Sequence, residues 1–124
     1  MKINDFKYNS FIEILKEELV PAMGCTEPIA IAYCAAVVRD YLGIIPEKVD
    51  IYVSGNILKN VKSVVVPNTS GLRGISSSVA IGIIGGIKEL KLECLSKVND
   101  EDREKKIKGW NKAVKYAYGW AKDE

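Results

Sequence analysis

The sequence predicts a mainly α-helical domain with one or two short β-strands, built around two buried helices at about 26–42 and 76–87. Two observations place those helices. No charged residue occurs from Ile29 to Val38, so a helix there is apolar nearly all round. A second uncharged run, Ser76 to Ile87, carries Val79, Ala80, Ile81, Ile83 and Ile84 among three glycines. A third observation bounds the fold: 124 residues with 48% hydrophobic content suit one domain spanning 1–124.

Ser10 and Glu13 form a capping box at the head of a first helix. Phe11, Ile12, Leu15 and Leu19 recur on its apolar face, and Pro21 ends it near Val20. Thr26 is expected to cap the second helix, Pro28 sits in its first turn, and Gly43 stops it. Val49, Ile51 and Val53 alternate with Asp50 and Tyr52, the pattern of a strand with one buried face. Ile57 to Val61 predicts a helical turn capped by Ser54 or Asn56, and Val64 to Val66 a very short strand. The polar loop Asn68 to Gly74 leads into the second buried helix, whose glycines allow close helix contact. Leu90, Leu92 and Leu95 add core in a short fourth element. Asn99 caps a last region with Asp100, Glu101 and Asp102 in its first turn. Gly109 divides that region from an amphipathic helix bearing Trp110, Ala113, Val114, Ala117, Tyr118 and Ala121.

Composition excludes several classes of function. A net charge of +2 gives no strong attraction to nucleic acid or anionic membrane, and acids dilute the C-terminal lysines and aromatics. No apolar run reaches the roughly 20 residues that cross a bilayer. With no signal-peptide hydrophobic region and three cysteines lacking disulfide spacing, a reducing cytoplasm is expected. Histidine is absent, which removes Ser-His and Cys-His dyads and imidazole metal sites.

Cys25 stands just outside the positive end of a buried helix, where thiolate is favoured over thiol. It is either a reactive or metal-binding thiol or a small hydrophobe packed between segments. Cys34 lies nine residues on, roughly 13 Å along a helix, and is expected in the core, with Cys94 also structural. Asn56, Lys59 and Asn60 present amides and an ammonium in a break after a strand, which is also the make-up of an ordinary surface turn. The 68–74 loop offers Thr69, Ser70, Arg73 and backbone amides to a small carboxylate, and lacks the spacing and lysine of a P-loop.

Three segments occur in order: Val20 to Ala30 with Met-Gly-Cys-Thr-Glu-Pro at its centre, Val53 to Asn60, and Val66 to Gly74. Together they resemble the N-terminal part of the L-cysteine desulfidase family and the related alpha chains of iron–sulfur L-serine dehydratases, over roughly Phe11 to Glu104. The resemblance implies a deaminating lyase of amino-acid catabolism, converting L-cysteine to pyruvate, ammonia and sulfide, or L-serine to pyruvate and ammonia. It implies a [4Fe–4S] cluster with Cys25 as a ligand, Lys59 as the candidate catalytic residue, and Asn56, Asn60, Thr69 and Arg73 around a small amino-acid substrate.

Members of that family are several times longer, and their other cluster cysteines lie outside the matched part. The chain is therefore expected to be a truncated portion or subunit, inactive alone, with an incomplete cluster. It would need a missing C-terminal portion or partner chain, or would form a homo-oligomer. A non-catalytic helical interaction domain keeping the family scaffold is the alternative. A pyridoxal-phosphate lyase using Lys59 is a third, although no phosphate cup accompanies that lysine.

Overall fold

A computed structural model describes residues 2–109 and shows them to be mainly helical. The order is α1 (Phe6–Glu18), α2 (Thr26–Leu42), α3 (Gly55–Val61), α4 (Gly74–Gly85), a 3-10 segment (Lys88–Glu93) and α5 (Asp100–Gly109). The amphipathic helix expected from Trp110 to Ala121 lies outside the described residues.

The two uncharged runs become α2 and α4, which pack on each other at the centre. Ile29 and Ala32 of α2 meet Ile81 of α4, together with Val66, Cys94, Leu95 and Val98. A second cluster joins Ala35 to Val79, Ala80 and Ile83. Ile29 and Ile81 are wholly buried, and each contributes about 1.5–3 kcal/mol by leaving water. Gly82 makes the approach possible: a Cβ there would fall 2.7 Å from the Cα of Ala32.

Arg39 locks the pair. Its Nη1 donates to the carbonyl of Ile83 at 2.8 Å and its Nη2 to that of Gly86 at 2.7 Å, while Asp40 neutralises it. A cation is thus supplied where α4 leaves carbonyls unsatisfied. These contacts draw Arg39 inward, its side chain only 19% exposed.

Several caps follow from local chemistry. Gly43 ends α2 in the left-handed region (φ 79°), and Ser54 Oγ accepts from the amide of Ile57 to start α3. Asn99 and Asp102 exchange side-chain to backbone bonds of 3.0 and 3.2 Å, a reciprocal box at the head of α5. The first helix departs from expectation. Asp5 caps it, accepting from the amide of Lys7, so it starts five residues earlier than the Ser10–Glu13 box implies. Ser10 instead donates back to the carbonyl of Phe6.

α2 is also less enclosed than its composition predicts, with Cys34 and Val38 exposed. Residues 49–53 alternate in burial as expected, but form no strand, because among the described residues no second strand lies beside them. Among the described residues the β pairing is one antiparallel bridge, Val65 to Arg73. The second buried helix starts at Gly74, not Ser76, and Gly86 caps its end.

Candidate functional site

Cys25 is itself the N-cap residue of α2, displacing Thr26 from that role. Its side chain makes no capping bond; the thiol donates to Glu27 Oε2 at 3.3 Å and is exposed. Partial desolvation, then the hydrogen bond to Glu27 and the charge of that carboxylate, push the thiol pKa up. The expected bias toward thiolate is therefore reversed, desolvation first and the Glu27 carboxylate second favouring the thiol.

The turn before Cys25 abuts the threonine loop. At Gly24 a Cβ would fall 2.9 Å from Pro67 Cγ, and the Met23 amide donates to the Leu92 carbonyl. The loop itself is held from within. Thr69 is buried, its hydroxyl donating to the Val66 carbonyl at 2.6 Å, and Arg73 Nη1 donates to the Ser63 carbonyl at 2.7 Å. Asn68, in the left-handed region at φ 58°, donates from Nδ2 to the carbonyls of Leu95 and Val98, and Arg103 donates back to Asn68. These bonds span from 27 to 35 positions of sequence, so no local pattern foretells them.

Asn56, Lys59 and Asn60 lie on the exposed face of α3, while Val61 is buried beneath. Among the described residues no hydrogen bond or ion pair links these three side chains to Cys25, Thr69 or Arg73. The structure thus brings the first and third sequence segments together through Gly24 and Pro67.

The other two sulfurs do not add donors. Cys94 is sealed in the core, its thiol 3.9 Å from the Ile29 carbonyl and pushed up in pKa by burial. Cys34, expected in the core, is exposed on the wall of an apolar groove of about 760 Å³ between α2 and residues 46–57. Val38, Leu42, Val49, Ile51 and Ile57 line it as well. Among the described residues no three Cys, Asp, Glu or His side chains gather as a metal site. These donors do not fit a [4Fe–4S] cluster, which takes several thiolates.

The arrangement defines a small helical piece with two exposed thiols, Cys25 and Cys34, and uncovered apolar surface. Comparison places it beside the UPF0597 proteins. It is 52% identical over 101 residues to that of Treponema denticola, 55% over 104 to that of Desulfitobacterium hafniense, and 55% over 93 to that of Finegoldia magna. These matches take in 82%, 84% and 75% of this chain. The chain spans about a quarter of the length of these relatives: 23%, 24% and 22%. No family model and no solved structure matches it.

The family resemblance is corrected accordingly. The relatives carry the name UPF0597, not cysteine desulfidase or serine dehydratase, and that name supports neither lyase nor iron–sulfur chemistry. The stretches matched, 93 to 104 residues at 52–55% identity, are shared with relatives whose name states no activity.

Proposed function

We propose that this chain acts as a non-catalytic helical interaction segment, a folded piece that docks onto further polypeptide of a longer protein. The observation that carries this is α1. No residue of α1 is buried, and Phe6 is 83% exposed, with Phe11, Ile14 and Leu15 also open. A helix with an uncovered apolar face marks an interaction surface. The length of the relatives, about four times the matched stretch, supplies polypeptide to cover it. The three free thiols fit a reducing, cytoplasmic compartment.

The isolated chain is expected to self-associate and to bind a fluorescent apolar dye. The double variant Phe11→Glu, Leu15→Glu should abolish self-association and lower the dye signal while leaving helicity unchanged. A wild-type chain that stays monomeric at high concentration with no dye signal would overturn the proposal.

A further inference from the structure

Residues 49–53 have the burial pattern of a strand, and among the described residues no strand lies along the edge that 49, 51 and 53 share. Val49, Ile51 and Val53 are half-buried while Asp50 and Tyr52 are exposed. Val49 and Ile51 pack on the cluster of Ala35, Val79, Ala80 and Ile83. In an extended chain main-chain groups alternate between edges as side chains alternate between faces. The amides and carbonyls of residues 49, 51 and 53 therefore share one edge. Within the described residues none of these three makes a main-chain hydrogen bond. An edge of main-chain groups with no partner strand is a ready template for pairing, and a second strand would satisfy it.

We propose that this edge receives an extended segment from the polypeptide that the longer relatives carry outside the matched quarter, adding it as a β-strand. The proposal rests on the interaction reading above and names a second contact, separate from α1. Two features favour that occupant over a helix. Main-chain pairing needs a strand, and the apolar groove beside the edge, lined by Val38, Leu42 and Ile57, can take alternate apolar side chains. The matched stretch covers only 23% of the Treponema denticola relative, so most of that protein lies outside it.

Hydrogen exchange tests this in two proteins: the present chain alone and the full-length Treponema denticola relative, read over the peptide aligned with 48–54. Amides aligned with 49, 51 and 53 should exchange roughly 100-fold more slowly in the full-length protein. Equal rates in both would overturn the strand, whatever the dye and self-association measurements say of α1. Slow exchange in the present chain that depends on its concentration would also overturn it, since a second copy would then hold the edge. Protection at those positions in the full-length protein alone, with a chain that fails the α1 tests, would keep the strand and reject the α1 surface.

Discussion

After desolvation, Glu27 is the group that most restrains the exposed sulfur of Cys25. The carboxylate accepts from the thiol at 3.3 Å, and its charge opposes a second negative charge so close by. Removing it with Glu27→Ala takes away two of the causes that hold the thiol protonated, while the opening amides of α2 remain. The sign is therefore fixed: the pH profile of Cys25 alkylation should move to lower pH. At pH 8 the rate should rise about two- to fivefold, since only thiolate reacts. Peptide mapping separates Cys25 from Cys34, which is also exposed. An unchanged profile would show that desolvation alone sets the thiol. No sequence rule ranks these influences, because a helix end and an acid two positions on act in opposite directions on one sulfur.

At the scale of elements, the contact of α2 with α4 depends on a missing side chain. Gly82→Ala should improve helix propensity by about 1 kcal/mol, yet the added methyl would sit 2.7 Å from the Ala32 Cα and 2.8 Å from its carbonyl carbon. Main-chain atoms cannot rotate aside, and overpacking of this kind costs about 1–3 kcal/mol. Urea unfolding should show a net loss of up to about 2 kcal/mol, and a gain of about 1 kcal/mol, the propensity term alone, would mean that the two helices separate freely. The sequence made this pairing legible: uncharged runs with embedded glycine pointed to two close helices, and Asn99 with its acids marked α5. Other features were not legible. Arg39 reaches carbonyls 44 and 47 positions away, and Asn68 reaches one 27 away, distances at which local patterns carry no information. The alternation at 49–53 shows an apolar face but says nothing of a pairing strand. Likewise the stripe Phe11, Ile12, Leu15 and Leu19 identifies a face without saying what covers it.

For the whole molecule, that uncovered stripe yields the most direct expectation. If α1 buries nothing here, the core of α2, α4 and the residues around Cys94 and Leu95 should not need it. Deleting residues 1–20 should change the unfolding free energy by less than about 1 kcal/mol, as for surface changes away from the core. Losing an intramolecular helix from a fold this small would remove far more, because each buried Leu or Phe side chain contributes about 1.5–3 kcal/mol. Dye binding should fall in the same variant, since Phe6, Phe11, Ile14 and Leu15 leave with the helix. The two readings together discriminate: a stable core with a lowered dye signal means that α1 faces outward to a partner. A loss above about 2 kcal/mol on deletion would show that α1 packs against its own chain in solution, leaving no free face for docking.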